Sequence, residues 1–317
     1  MTDTAHACRG RFSHEALFYA GPRDFAAQVG AFVREGVTAD EPALVMVAAD
    51  KIELLRAELG PDAARVLFID MGEAGRNPGR IISAWHDFAA EHLAQGRTLR
   101  GVGEPIWAAR SPDELTECQH HESLINLAFG DADGFRLVCP YDTEALPPDV
   151  IEEARRSHPL ILEAGGHLVD CAPYRGDDAI GNASDALPPP RVASEDMGFL
   201  QTSLVDVRGF VSRRASDAGL APEKVGDLVL AVNEAATNSV RHAGGKGVVR
   251  MWRSDDAVVC EVRDRGRIDE PLVGRMRPAS QRSGGHGLWM AHQLCDLVQL
   301  RTRRSGTVVR LHMRLAG

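Results

Sequence analysis

The stretch "LVLAVNEAATNSVRHA" (residues 228–243) decides the fold of the second half of the chain. An apolar stripe with helical spacing, which begins at Leu228 and continues through Val232, predicts an amphipathic helix. Glu234 and Asn238 lie four residues apart, so they share one face of that helix. They are either an ordinary surface pair or a carboxylate and an amide directed at a ligand, and the helix alone leaves both readings open.

Length and composition indicate a two-domain chain with substantial cores. The chain has 317 residues, of which 44% are hydrophobic, and this length exceeds that of one typical domain. No apolar run approaches the roughly 18 residues that a membrane span needs, and the first residues lack the apolar segment of a signal peptide. The six cysteines include no CxxC pair, which is typical of reduced thiols. We therefore expect a cytoplasmic protein that does not bind a membrane.

The charge is divided unevenly along the chain. Residues 1–195 carry 17 basic and 32 acidic side chains, whereas residues 196–317 carry 19 basic and 13 acidic ones. A basic second half favours anionic partners such as nucleotide phosphates or an acidic protein. Two solvated surfaces, or two halves that dock on each other, would give the same asymmetry.

The segment "RGDDAIGNASDALPPPRVASE" (175–195) has the composition of a linker. It is polar, rich in Gly, Asp, Ser and Pro, and contains three consecutive prolines, which favour an extended backbone. We therefore predict one domain over residues 1–174 and a second over residues 196–317.

The two predicted domains have different patterns. In the first, short apolar segments such as "ALVMVAA" (43–49) alternate with helical segments, which predicts an α/β fold with a largely parallel sheet and helices on both faces. The second begins with a helix over about 198–219, followed by a helix that Pro222 starts. Two strands, an irregular stretch over 265–286, a short helix and two final strands follow. This order predicts an α+β fold with an antiparallel sheet.

Four features of the second half occur in a fixed order. After the pair Glu234 and Asn238 come "VRDRG" (262–266), "SGGHGL" (283–288) and "SGTVV" (305–309). Each of them alone is common in proteins without a ligand site. Their order along one domain is the observation that carries the functional interpretation.

Each feature offers chemistry that a bound nucleotide needs. Asp264, at the end of a strand, can accept a hydrogen bond from the exocyclic amine of adenine, and Gly266 lets the backbone approach the base. Glycines at a helix start leave amide groups free to bind phosphates. Asn238 offers a neutral oxygen to Mg²⁺, Glu234 can act as a general base, and Thr307 adds a hydroxyl near the base.

Residues 196–317 resemble the GHKL (Bergerat-fold) ATPases, and within them the anti-sigma-factor serine/threonine kinases. "NEAATNSVRHA" resembles the N box of that family, "VRDRG" its G1 box, "SGGHGL" its G2 box and "GTVV" its closing strand. The resemblance implies ATP with Mg²⁺ on Asn238 and Glu234 as the catalytic base. The cofactor-binding residues that it implies are Asn238, Asp264, Gly266, Arg282, Ser283, Gly284, Gly285, His286, Gly287 and Thr307.

The G1 box departs from the family pattern at one position. The family usually has DxGxG, whereas this chain has "DRGRI" with Ile268 at the second glycine. The loop that follows carries Arg275, Arg277 and Arg282, which we expect near the γ-phosphate. The substitution bears on the mobility of this loop, and therefore on catalysis more than on nucleotide binding.

Residues from about 12 to 172 resemble a second family, the MEDS sensory domain. The pieces that carry the resemblance are "SHEALFY", "LRGVGEPIW", "HESLIN" and "VCPYD". It implies a RecA-like α/β domain that senses a small molecule, with His14 and Cys139 as the sensory candidates. The residues alone also fit a core histidine and an inert buried thiol. "RGVGEPIW" lacks the Gly-Lys-Ser/Thr end of a phosphate loop, so we expect no nucleotide chemistry in this half.

Two further patterns in the first half favour a structural interpretation. Glu122 and Asn126 form a second pair four residues apart, but no glycine motif follows them in the required order. "CQHH" (118–121) has the residue types of a metal site without a second ligand pair at zinc-like spacing, which favours a solvated helix.

Three functions fit these patterns. The first is a regulator of transcription in stress responses: it holds a sigma factor inactive and phosphorylates Ser or Thr on a STAS-type antagonist. The small-molecule domain tunes it, no nucleic acid is bound directly, and family likeness implies a homodimer. The second is a sensor histidine kinase with His14 or His158 as phosphoacceptor. The third is a non-catalytic ATP-binding module that sequesters a partner.

Overall fold

The computed structural model describes residues 11–176, 186–278 and 286–315. The chain divides into two compact units, Met1–Gly181 and Asn182–Gly317. The division falls inside the segment 175–195, which has the composition of a linker.

The first unit contains a seven-stranded sheet. Its strands are β1 (Ser13–Tyr19), β2 (Ala43–Val47), β3 (Val66–Asp70), β4 (Leu99–Gly103), β5 (Phe135–Asp142), β6 (Leu160–Glu163) and β7 (His167–Asp170). Their order is β3-β2-β4-β5-β1-β6-β7, and every neighbouring pair is parallel except β6 with β7. The predicted α/β class is confirmed.

Helices connect the strands of this sheet. They are α1 (Gly21–Thr38), α2 (Ala49–Leu59), α3 (Met71–Ala74), α4 (Ile81–Leu93), α5 (Pro112–Phe129) and α6 (Pro148–Ser157). The start of α5 is fixed by a capping box, in which Ser111 and Glu114 satisfy each other's backbone N–H groups. This cap sets the helical phase of the side chains farther along α5.

Strand β1 has no apolar pattern at its start, although it lies between β5 and β6. Its first three residues are polar, yet Ser13, His14 and Glu15 are all buried. The parallel register places His14 opposite Leu137, and Cys139 two residues farther along β5. Both sensory candidates therefore lie on adjacent strands inside the first unit.

The second unit is an antiparallel five-stranded sheet with helices. Its strands are β8 (Glu195–Leu200), β9 (Lys246–Arg253), β10 (Ala257–Asp264), β11 (Leu297–Arg303) and β12 (Gly306–Arg314), in the order β11-β12-β10-β9-β8. Its helices are α7 (Leu204–Asp217), α8 (Pro222–His242) and α9 (His286–Leu294). The predicted α+β class and the start of α8 at Pro222 are confirmed. Among the residues that the structure describes, no helix is long and apolar enough to cross a bilayer.

The expected helix over 198–219 is wrong at its start. The chain forms strand β8 up to Leu200, and helix α7 begins only at Leu204. Met197 and Phe199 both pack on the core of this unit, and Phe199 is 3% exposed. Apolar residues at i and i+2 point to the same face of a strand, and β8 pairs with β9 at the edge of the sheet.

The apolar stripe of α8 packs as its spacing predicts. Leu228, Val232, Ala235 and Ala236 are at most 3% exposed and belong to the core of the second unit. This burial fixes the rotation of α8, so the face that carries Glu234 and Asn238 points away from the sheet core.

Candidate nucleotide site and buried histidine cluster

The pair on α8 meets the start of α9. Glu234 and Asn238 are both half-buried. A Cβ added at Gly287 would lie 2.8 Å from Oε2 of Glu234 and 3.5 Å from Nδ2 of Asn238. The backbone of α9 therefore approaches these two side chains closely, and a larger residue at this position would force the Glu234 side chain to shift. The predicted N box and G2 box converge here.

The carboxylate of Asp264 is held at the end of β10 by two donors. The Ser239 hydroxyl donates to Oδ2 at 2.6 Å, and the backbone N–H of Gly266 donates to Oδ1 at 2.7 Å. Ser239 directly follows Asn238 on α8. The same helix therefore carries Asn238, the predicted magnesium ligand, and orients Asp264, the residue predicted to bind adenine. Sequence reasoning missed Ser239, although its position beside Asn238 was a usable signal.

The backbone after Asp264 is fixed by Thr307. Thr307 lies opposite Asp264 in the β10–β12 register, and its hydroxyl donates to the carbonyl of Gly266 at 3.0 Å. A Cβ at Gly266 would lie 2.6 Å from Cβ of Ala243, at the end of α8. The predicted residues Asp264, Gly266 and Thr307 therefore form one hydrogen-bonded corner against α8.

Ile268 fits its position without strain. Its backbone N–H donates to the hydroxyl of Thr302 at 3.1 Å, and its side chain packs on the core of the second unit. Among the described residues, Asp40 is the one non-glycine residue with a positive φ, so Ile268 needs no left-handed backbone. Isoleucine at position 268 therefore has less backbone freedom than the family's glycine, and its side chain packs on the apolar core instead.

The segment after the G1 box packs on α9. A Cβ at Gly274, whose φ is +75°, would lie 2.8 Å from Cβ of Leu288. Arg275 is 4% exposed, and the Arg277 guanidinium lies 5.7 Å from the ring centroid of Trp289. Arg277 therefore contacts α9, and Arg275 is buried in the second unit.

Of the other residues predicted to bind the cofactor near the G2 box, one lies at the start of α9 and the rest precede it. His286 is its exposed first residue. Arg282, Ser283, Gly284 and Gly285 lie outside the residues that the structure describes.

A second constellation lies inside the first unit. His14 Nε2 is 3.2 Å from Oε2 of Glu122 and 3.3 Å from Sγ of Cys139. His158, which directly follows α6, places Nε2 at 3.4 Å from the same carboxylate oxygen. On the other side of His14, Nδ1 is 3.1 Å from Oδ1 of Asn126. The four side chains of His14, Glu122, Cys139 and His158 are each at most 2% exposed, and we call them the buried histidine cluster.

The environment of this cluster shifts its ionisation. Burial, reinforced by the nearby His158, lowers the pKa of His14 to about 4. Burial and the charge of Glu122 raise the pKa of the Cys139 thiol well above its ordinary value. At neutral pH the cluster thus holds a neutral His14 imidazole and a protonated thiol.

One interpretation of the first half gains a contact that the sequence did not predict, and a second needs correction. The pair Glu122 and Asn126, set aside as structural, contacts the sensory candidate His14 from α5. "CQHH" (118–121) is not a solvated helix, since Cys118 and His121 are at most 1% exposed. Helix α5 is buried on this side because it packs over the sheet inside the first unit.

Sequence reasoning also missed His158 as a partner of His14. Their ring centroids are 4.0 Å apart. The available signal was a histidine at the junction between α6 and the next strand, in "RSHPLIL". A single sequence gives no means of linking that histidine to a strand 144 residues earlier.

Two family models match the chain. Residues 13–159 match the MEDS family, described as the methanogen/methylotroph, DcmR sensory domain. Residues 199–313 match the histidine kinase-like ATPase domain. Both matches bear out the resemblances read from the sequence, and an ATPase domain of this kind implies ATP binding.

One similar solved structure contains the RsbU and RsbW domains of a Mycobacterium tuberculosis protein. It is 22% identical over 39% of this chain, with a TM-score of 0.30. The match spans 32% of that protein's solved chain, about a third of its length. No curated protein matches this chain.

Proposed function

We propose that this chain, which joins a MEDS sensory domain to a histidine kinase-like ATPase domain, is an ATP-dependent regulator of the anti-sigma type. It binds a sigma factor and transfers phosphate from ATP to Ser or Thr of a STAS-type antagonist. A small molecule at the sensory domain tunes either act. The observation that carries the proposal is that α8 places Glu234 and Asn238 against Gly287 in the first turn of α9, and Ser239 against Asp264 at the end of β10.

Asp264 is the residue that reads the base. Its two oxygens are already oriented by Ser239 and Gly266, and each carboxylate oxygen retains a second lone pair for another donor. The exocyclic amine of adenine is such a donor.

The surroundings of Gly287 fit phosphates and a magnesium ion. A side chain here would meet Glu234 and Asn238 within 2.8–3.5 Å, so the glycine keeps open the space beside both. The Asn238 amide oxygen would hold Mg²⁺, which prefers oxygen ligands and keeps phosphate oxygens and waters as the others. When bound, Mg²⁺ neutralises charge on the phosphates.

Glu234 lies one helical turn from Asn238 and is the candidate general base. Phosphoryl transfer depends on in-line positioning and charge neutralisation more than on covalent help. A carboxylate that accepts the proton of an incoming serine or threonine hydroxyl supplies the remaining step. Glu234 is half-buried and borders the G2 segment, a position that a protein substrate can reach.

The experiment is phosphate transfer from radiolabelled ATP to a candidate antagonist, with Glu234→Gln as the test variant. We expect Glu234→Gln to bind ATP but to lose transfer. Glu223→Gln, on the exposed first turn of α8, is the matched control and should transfer normally. If wild type binds ATP and transfers nothing to any antagonist, the kinase assignment fails.

The same variant separates a kinase from a non-catalytic sequestering module. The packing of Ile268 on the core favours a less mobile G1 segment, which is the observation behind the second candidate. Unchanged signalling in cells that carry Glu234→Gln would favour it. The histidine kinase candidate has less support, because His14 and His158 are at most 1% exposed and lie out of reach of a phosphate donor.

A further inference from the structure

The buried histidine cluster joins four segments that are distant in the sequence. His14 lies on β1, Glu122 on α5, Cys139 on β5, and His158 follows α6. One ligand-type atom of each lies within 4.8 Å of the others. These atoms are two imidazole nitrogens, a thiol sulfur and a carboxylate oxygen, all of which bind transition metals.

The tautomer of His158 follows from its neighbours. Its Nδ1 lies 2.8 Å from the carbonyl oxygen of Ala154. A carbonyl only accepts, so Nδ1 carries the hydrogen. In the neutral ring Nε2 then presents a lone pair. Within the described structure this atom has no hydrogen-bond partner, and it faces Oε2 of Glu122 at 3.4 Å.

The tautomer of His14 is fixed in the same way. Asn126 donates its Nδ2 to the carbonyl of Ser157 at 2.8 Å, so its Oδ1 is the atom that faces His14. His14 Nδ1 therefore donates to Asn126. Its Nε2 presents a lone pair to Glu122 Oε2 and to the sulfur of Cys139.

Two imidazole lone pairs therefore converge on one carboxylate, and the thiol of Cys139 supplies a single proton among them. Oε1 of Glu122 also has no hydrogen-bond partner among the described residues. Acceptors that face each other in a fully buried space repel, and a buried carboxylate without a counter-charge is costly. A dication placed among them would bind all the facing lone pairs. With the carboxylate and a thiolate it would give a neutral site.

We propose that His14, Glu122, Cys139 and His158 bind one divalent transition-metal ion, and that zinc fits the set best. Bond lengths of about 2.0–2.3 Å in a tetrahedral zinc site imply ligand atoms about 3.3–3.8 Å apart. Three pairs of these ligand atoms lie at 3.2, 3.3 and 3.4 Å, and no pair is more than 4.8 Å apart. The side chains therefore need only small shifts to reach tetrahedral coordination.

The donor set and its surroundings select the class of metal. One oxygen among four donors disfavours Mg²⁺ and Ca²⁺, which prefer all-oxygen sites. Each imidazole donates its Nδ1–H to an oxygen, from Asn126 for His14 and from Ala154 for His158. A hydrogen bond from the nitrogen that does not bind the metal is typical of metal-bound histidine. The site is independent of the nucleotide site in the second unit.

The first test measures metal content and cobalt spectra of the full-length protein. We expect about one zinc ion per chain after dialysis against metal-free buffer, a ratio that follows from one four-ligand site. Cobalt added to chelator-treated wild type should give the near-ultraviolet charge-transfer band of a cobalt–thiolate bond and the visible bands of a tetrahedral ion, and zinc should displace both. This measurement needs no variant.

Variants assign the site. Cys139→Ser should lose the charge-transfer band, whereas Cys118→Ser, at another buried free cysteine of the same unit, should keep it. Asn126→Ala should keep the spectrum while metal affinity falls about 10- to 100-fold, because His14 loses the hydrogen bond that orients its ring. A folded wild type that retains no metal and gives no cobalt–thiolate band would overturn the proposal, as would a band that survives Cys139→Ser.

Discussion

Replacing Asp264 by asparagine tests how the second unit recognises a nucleotide. Asparagine keeps one oxygen, which can still accept the N–H of Gly266, now 2.7 Å from Oδ1. Its amide nitrogen takes the position of Oδ2, where the Ser239 hydroxyl lies at 2.6 Å and can turn to accept. The variant therefore keeps the local structure but loses the charged acceptor for the adenine amine.

The size of the effect follows from the bond that is lost. A hydrogen bond to a charged group contributes about 1.5–3 kcal/mol, and each 1.4 kcal/mol or so changes affinity tenfold. We therefore expect Asp264→Asn to bind ATP and ADP about 10- to 150-fold more weakly than wild type. Isothermal titration calorimetry with excess Mg²⁺ measures both dissociation constants.

The matched control is Asp255→Asn, which removes the same charge at the exposed turn between β9 and β10. This variant should bind ATP as wild type does. Equal dissociation constants for Asp264→Asn and wild type, in folded protein, would refute the adenine-reading role. If wild type itself releases no heat with ATP or ADP, the nucleotide site as a whole is wrong.

Three further variants test packing and pH dependence. Phe199→Ala removes a side chain of β8 that is 3% exposed. It should lower the free energy of unfolding of the second unit, measured in urea, by about 3–5 kcal/mol. A loss near zero would contradict the packing of β8 on the core. Gly287→Ala places a methyl group 2.8 Å from the Glu234 carboxylate and 3.1 Å from its Cβ. The overpacking should lower the free energy of unfolding of the second unit by about 1–3 kcal/mol in urea, whereas unchanged stability would mean that α9 is not held against α8. Burial raises the pKa of the Cys118 thiol to about 12, whereas an ordinary thiol ionises near pH 9. Between these two values the folded state keeps a proton that the unfolded state releases. The free energy of unfolding therefore falls as the pH rises from 9 towards 12. By pH 10 wild type should lose about 1.4 kcal/mol more unfolding free energy than Cys118→Ala; parallel pH profiles would show that this thiol does not titrate as its burial requires.

The parts of the fold that depend on local pattern could be predicted from the sequence. The 3.6-residue period of α8 placed Glu234 and Asn238 on one face before any tertiary contact was known. The change from alternating strands and helices to an antiparallel order separated the two fold classes. The sequence pattern did not predict strands β1 and β8. Strand β1 starts with buried polar residues, and in β8 a glycine and an exposed leucine obscure the alternation of apolar and polar residues.

The order of the motifs in the second half was enough to predict a nucleotide site from the sequence alone. Each motif is a short continuous segment, so its residue types can be recognised without the tertiary structure. Only the tertiary structure decided that Ser239 holds Asp264, because that contact depends on how α8 packs against β10. The buried histidine cluster is a stronger case. Parallel pairing brings β1 beside β5 across more than a hundred residues, and side chains joined over such separations leave no local period in the sequence that could reveal them.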